Sequence, residues 1–174
     1  MPQRLDLCPI DGVGDDLLLM LAHRLSDATG LSVAAARSRP MPVPIDPIRR
    51  QYDAAALLER LAARRDDPSA CVLGVTVDDV YASGMNFVFG LADPEHQVAV
   101  VSLARLASTD RALAQLRLVK EALHQTGLAL GLPYCPRACV MRFADSLLAL
   151  DARPATFCEE CRLRLGARTG LRAV

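Results

Sequence analysis

Apolar residues recur along this chain with two periods, and segments of the two kinds follow one another in a regular order. Leu5 to Ile10 is a short apolar run ahead of Asp11-Gly12, which predicts a first strand and a turn. From Asp15 to Thr29, Leu17, Leu18, Leu21 and Leu25 fall at helical spacing, and Gly30 supplies the stop. Leu31 to Ala36 reads as a second strand, so the opening is β-α-β and favours a parallel pair. Four prolines in nine positions, Arg39 to Pro47, predict an extended surface connector. Asp53 is a suitable N-cap for a helix running through Arg65, and Asp66-Asp67-Pro68 closes it. Cys71 to Thr76 is almost devoid of polar residues, as expected of a strand at the centre of a sheet.

Asp78-Asp79 reads as a solvated turn, and a further turn at Ser83-Gly84 precedes a fourth predicted strand, Asn86 to Gly90. Asp93-Pro94 turns the chain into a fifth, Gln97 to Leu103. Ser108, Thr109 and Asp110 are candidate N-caps for a long helix from Arg111 to Leu130, with Leu113, Leu116, Leu123 and Leu130 on its buried side and Gly131 at its end. The pattern predicts an α/β domain: a mixed five-stranded twisted sheet with helices packed on it, a long helix, and a small C-terminal lobe. We take 1–174 as a single domain, with a sheet-and-helix lobe over 1–131 and a cysteine-bearing lobe over 132–174.

Composition narrows the function classes. The chain has 174 residues, enough for a sizeable core, and with 52% hydrophobic residues and no Trp that core is mostly aliphatic. Twenty basic residues balance twenty acidic ones, so no net cationic field draws nucleic acid or an anionic membrane. No uncharged apolar segment is long enough to cross a bilayer, and the first residues lack the apolar run of a signal peptide. Cys8 and Cys71 fall in predicted buried strands, where lone thiols pass as small hydrophobes. We therefore expect a cytoplasmic protein in a reducing compartment.

The remaining four of the six cysteines lie together as Cys135-x3-Cys139 and Cys158-x2-Cys161. Two short spacings of this kind bring four thiolates within reach of one tetrahedral Zn2+, the composition of a closed, structural site. Arg137, Arg142, Arg162 and Arg164 lie within a few residues of these cysteines and are placed to offset the charge of such a site. Disulfides, or four reduced core thiols, are the competing accounts.

Three further strings carry a family resemblance: Arg49-x-Gln51-Tyr52-Asp53; Leu73-Gly74-Val75-Thr76-x2-Asp79-Val80-Tyr81-x2-Gly84-x-Asn86-Phe87-Val88-Phe89-Gly90; and Val98-Ala99-Val100-Val101-Ser102-Leu103-Ala104-Arg105-Leu106. With the cysteine region they resemble an archaemetzincin, a metallopeptidase-like family of the metzincin clan. The resemblance implies that clan's mixed sheet and a signature H-E-x-x-H-x-x-G-x-x-H-C, followed by a second cysteine, a methionine two residues on, and C-x-x-C. Three histidines there hold a catalytic zinc, the glutamate is the general base, and four cysteines hold a structural zinc. With Gly131 and Cys135 in register, the first His falls on His124, the Glu on Gln125, the second His on Leu128 and the third on Tyr134. The methionine falls on Met141 and the cysteines on Cys135, Cys139, Cys158 and Cys161; the first cysteine gap is one residue shorter than is usual in the family. Reading Lys120-Glu121-x2-His124 as the motif instead would put a third ligand at Leu130, within the helix, so Glu121 is not the base.

The substitutions at the implied site all act in one direction. Leu128 has no donor atom, Tyr134 would have to ionise far below the ordinary phenol value near ~10 to serve as a ligand, and one imidazole does not retain Zn2+. An amide at Gln125 cannot accept a proton at neutral pH, and loss of a general base alone costs roughly 10²–10⁴ in rate. His124 then reads as a hydrogen-bonded buried histidine, Met141 as packing beneath the site, and Tyr134 as filling its histidine counterpart's volume with its hydroxyl on a polar partner. The expectation is one structural zinc, no catalytic zinc and an inactive pseudopeptidase, with an extended peptide or protein segment pairing along the strand Gln97–Ser102. The alternatives are a metallopeptidase using non-standard ligands, for which His23 and His96 are the remaining histidines, and a zinc-stabilised adaptor.

Overall fold

The computed structural model describes residues 1–10, 12–35 and 43–171. Its elements are β1 (Arg4–Ile10), α1 (Asp15–Thr29), β2 (Ser32–Ala35), β3 (Tyr52–Asp53), α2 (Ala54–Arg64), β4 (Cys71–Thr76), β5 (Val80–Tyr81), β6 (Gly90–Asp93), β7 (Val98–Ser102), α3 (Arg111–Ala129), α4 (Leu147–Ala152) and α5 (Glu159–Thr169). The turn expected at Asp11, the last position of the predicted second strand and the first part of the connector (39–42) lie outside the described residues. The expected mixed five-stranded sheet is present, in the order β2-β1-β4-β7-β6, with a separate two-stranded pairing of β3 and β5. β1, β2, β4 and β7 run parallel, and β6 alone is antiparallel.

Alternation along the strands sets the layers. Leu5 and Leu7 of β1, Leu73 and Val75 of β4, and Ala99 and Val101 of β7 join a core shared with α1 and α3. Val72, Val98 and Val100 face the other way, onto Leu57, Leu58 and Leu61 of α2. All six residues of β4 are buried, as its uninterrupted apolar run requires. Helix ends follow the sequence: Asp53 accepts from the Ala55 N–H, Asp110 accepts from those of Ala112 and Leu113, and Gly30 takes φ +72° at the end of α1.

Four expectations need correction. The fourth large-sheet strand is Gly90–Asp93 and not Asn86 to Gly90. The segment before it is drawn off the sheet, because the Gln51 amide donates to the Asn86 carbonyl (3.0 Å) and the Val88 N–H to Val80 (3.0 Å). Second, Gln97–Ser102 cannot take an added peptide strand: β7 is flanked by β4 on one side and β6 on the other, so both of its edges are paired. The edge strands among the described residues are β2 at one end of the sheet and, next to β7, β6 at the other. Third, the proline-rich connector is not wholly superficial, since Val43 is buried in the core beside α2.

Fourth, α3 is not a one-sided helix. Leu113 and Leu116 are half-buried, whereas nearly every residue from Arg117 to Ala129 is buried. The C-terminal segment lies on α3 opposite the sheet, and its Cys135, Val140, Met141, Leu150, Phe157 and Leu165 belong to the same core as β1 and β4. Two of the cationic side chains caught between these layers are matched to partners, as burial demands. Arg117 pairs with Asp151 (2.7 Å), and the Lys120 ammonium donates to the carbonyls of Leu150 (3.2 Å) and Asp151 (2.7 Å).

Candidate metal centre and adjoining cleft

Beyond α3 the chain reverses at Gly131, whose φ of +81° is accessible to glycine at little cost. The reversal is fixed by N–H groups of Gly131 and Leu132 donating to the carbonyls of Leu128 and Gly127 (both 2.9 Å). It delivers Cys135 and Cys139 to the start of α5, where Cys158 is the N-cap and Cys161 lies in the first turn. The four sulfurs all lie within 4.8 Å of one another, and Cys135 Sγ is 3.8 Å from Cys158 Sγ. Four thiolates around one zinc at about 2.3 Å have sulfurs about 3.8 Å apart, so this donor set fits a closed tetrahedral site with shifts of at most about 1 Å.

Local polarity suits thiolates. Backbone N–H groups of Met141 (3.4 Å) and Cys158 (3.3 Å) donate to Cys139 Sγ. Burial pushes the Cys158 thiol up, but hydrogen bonds from the Cys161 N–H and from the neighbouring thiols outweigh it and bring it down to about 7. Burial pushes the Cys161 thiol well up and the Cys139 thiol up instead, and a bound cation would favour the thiolate form of both. Of the arginines expected to offset this charge, Arg137 and Arg164 both bind Glu160 (2.9 and 2.6 Å).

Beside the cysteines, the end of α3 forms one wall of a cleft of about 130 Å³ that also touches Phe87, Gly90, Phe143 and Asp145. His124 is buried there, with its Nδ1 donating to the Val140 carbonyl (2.9 Å). Burial holds its pKa below the ordinary imidazole value, with a contribution from Arg153, against the opposing pull of Glu121 and the carbonyl. Gln125 is also buried and donates its amide N–H to Glu121 Oε1 (2.7 Å). Glu121 in turn is ion-paired with Arg153 (2.5 Å), and both side chains are almost fully enclosed. Its carboxylate is thus held by two partners and is not free to act as a base.

Leu128 is half-buried against the core and presents no donor atom. Tyr134 does not fill a buried ligand's place: it is 56% exposed, stacks on His124 (centroids 5.7 Å) and meets Phe143 edge-on (5.5 Å, 89°). Its hydroxyl has no hydrogen-bond partner among the described residues. Met141 is fully buried, and its thioether lies so close to α3 that a Cβ at Gly127 would collide with it. His124, Gln125 and Tyr134 line one cleft, while Leu128, one helical turn beyond His124, packs against the core; with one imidazole as its only nitrogen ligand, the set does not fit a bound metal. Only one group of three or more metal-competent side chains forms among the described residues, and it is the four cysteines.

The sequence profile of Peptidase family M54 matches residues 30–167. The chain belongs to that family. An archaemetzincin of Pyrococcus furiosus is 36% identical over 176 residues, covering 93% of this chain and 92% of its own. The archaemetzincin structure from Methanopyrus kandleri superposes with a TM-score of 0.85 at 35% identity, over 97% of this chain and 96% of that one. A structure from Methanocorpusculum labreanum described as a zinc-dependent peptidase gives 0.83 at 29% identity, over 92% and 99%. Within this M54 fold, two features of the site escape sequence reasoning. One is the Glu121–Arg153 pair: nothing about a lone arginine 32 positions on marks it as buried. The other is Asp79, taken for a solvated turn. It binds Arg105 (2.7 Å) and Gln51 (2.8 Å), while the Asp78 backbone carbonyl accepts from the Ser102 hydroxyl (2.6 Å), so these bonds anchor the loop leading to the cleft.

Proposed function

We propose that this protein is a zinc-stabilised, non-hydrolysing member of the archaemetzincin family that retains its cleft for binding an extended peptide segment. The observation that carries this is the composition of the wall of α3: a single imidazole, an amide at Gln125 and an alkyl group at Leu128. The four cysteines would hold one structural Zn2+, which supplies cross-linking of the loop at 135–139 to α5 and no open coordination position. A thiolate site of this kind keeps its ligands reduced, and on that ground we place the protein in the cytoplasm. Peptide would add to the outer edge of β6, whose Gly90 and Leu91 line the cleft.

A competing function, zinc-dependent hydrolysis, is favoured by the description of the Methanocorpusculum labreanum relative as a peptidase. The two separate in one assay. Protein supplied with excess Zn2+ is incubated with a library of internally quenched peptides, and the same peptides are scored for binding by anisotropy. Binding without cleavage is expected. Cleavage that a chelator abolishes, and that Gln125→Ala or His124→Ala reduces, would establish the competing function.

A further inference from the structure

We propose that the cleft recognises a cationic side chain, the guanidinium of arginine or the ammonium of lysine, carried by the peptide; the proposal rests on the peptide-binding function above. Several of the groups that meet in this cleft attract positive charge or a hydrogen-bond donor.

Gln125 is the first. It is 5% exposed, and its Oε1 has no hydrogen-bond partner among the described residues. The amide's orientation is settled by chemistry: Glu121 is paired with Arg153 as a carboxylate and only accepts, so the Nε2 of Gln125 must face it. What is left over is a buried acceptor in the cleft wall. Such a group keeps its desolvation cost until a donor reaches it. The space beside it, about 130 Å³, is far below the ~300–1,000 Å³ of a drug-sized ligand pocket and suits the end of one side chain.

The rim is the second. Tyr134 and Phe143 are 56% and 55% exposed and stand at 89° to one another, which makes a two-walled aromatic corner open to solvent. Met85, 46% exposed, lines the same cleft, so three of the large apolar side chains left on the surface converge here. Aromatic faces within about 6 Å attract ammonium and guanidinium groups. One wall of the cleft already binds a cation in this way, since the Arg105 guanidinium sits 4.2 Å over the ring of Phe87. Asp145 adds an exposed carboxylate to the rim. Of the nearby cations, Arg153 is committed to Glu121 and Arg105 to Asp79, so neither opposes an incoming charge unscreened. With an aliphatic stem along Met85 and the rings, the charged end reaches Gln125 Oε1 once the side chains that cover that atom give way.

The test uses short peptides acetylated and amidated at their ends, identical except for one central residue: arginine, lysine, citrulline, norleucine or glutamate. Binding is read by anisotropy at low salt and at 0.5 M salt, with capped arginine alone as a small probe. Arginine and lysine peptides are expected to bind about tenfold or more tighter than citrulline and norleucine, with the preference shrinking at high salt. Asp145→Asn and Tyr134→Leu, at exposed positions that should not affect folding, are expected to reduce that preference several-fold; Gln125→Met should reduce it further. Equal binding of charged and neutral peptides would overturn the cation pocket and leave peptide binding standing. Binding of capped arginine without binding of any peptide would keep the pocket and overturn the peptide function. Tighter binding of the norleucine peptide with its N-terminus left unacetylated than of the capped arginine peptide would assign the pocket to an α-ammonium and overturn the side-chain proposal.

Discussion

Arg153→Met tests the wiring of the cleft wall. Arg153 and Glu121 are 1% and 4% exposed at their side chains and lie 2.5 Å apart, and Glu121 also accepts from Gln125. Removing the guanidinium leaves a carboxylate in the protein interior with only a neutral donor. Breaking a buried pair from one side costs about 3–5 kcal/mol, because the remaining charge keeps its desolvation cost and loses its partner. The variant also loses the hydrogen bond to the Arg142 carbonyl (3.1 Å), while Arg153 Nε, buried without an acceptor, is no longer left unsatisfied. These two effects oppose each other and leave the range where it stands. For a domain of this size each kcal/mol shifts Tm by about 2–4 °C, so a fall of about 6–20 °C is expected. The assay is urea unfolding of four proteins: the starting protein, Arg153→Met, Glu121→Gln, and the double variant. Glu121→Gln/Arg153→Met keeps an acceptor for Gln125 and has no orphaned charge, so it should be more stable than Arg153→Met alone. A cost below about 1 kcal/mol for Arg153→Met, or strictly additive single effects, would refute a buried, coupled pair.

Three further outcomes are expected. Cys158→Ser should lose bound zinc and lower Tm by many degrees, because metal binding by thiolates is coupled to folding; unchanged melting with and without a strong chelator would show that the cysteines share no metal. Gly90→Ala should destabilise by about 1–3 kcal/mol and narrow the cleft, because a Cβ there would sit 2.5 Å from the Val100 carbonyl oxygen and 2.7 Å from Gln125 Cγ; a neutral change in urea unfolding would mean β6 shifts freely. Burial raises the Asp79 pKa, but hydrogen bonds from Arg105 and Gln51 outweigh it, so its folded value is depressed and its contribution exists above the unfolded value near ~4 and is lost as pH falls through the folded one. Asp79→Asn should therefore carry the same modest deficit at pH 7 and pH 5 and a shrinking one below pH 4, whereas a deficit independent of pH would point to shape and not charge.

Local chemistry made much of this fold legible in the sequence. Asp53 and Asp110 cap their helices, Gly30 ends α1, and the apolar run at 71–76 lies at the sheet's centre, because each is set by neighbours in the chain. The four cysteines were legible for the same reason: two short spacings define the site once the chain turns back at Gly131. What was not legible depends on partners far away. Asn86 to Phe89 has the composition of a strand but is pulled from the sheet by Gln51 and Val80, and the edge falls to Gly90–Asp93. Arg117, Lys120 and Glu121 interrupt the apolar pattern of α3, yet they are buried because the C-terminal segment supplies Asp151, two carbonyls and Arg153. Tyr134 gave no sign that it would stand half outside the site, since its place depends on the rings of His124 and Phe143.

On the proposed function, the cysteines hold one metal ion and the histidine wall holds none. Native mass spectrometry of the protein purified with zinc present reads this as an integer. One zinc per chain is expected, absent in Cys161→Ser and unchanged in His124→Ala. Restoring the ligands with Gln125→Glu, Leu128→His and Tyr134→His together should raise the count to two. Two zinc ions in the starting protein, with one lost in His124→Ala, would contradict the account.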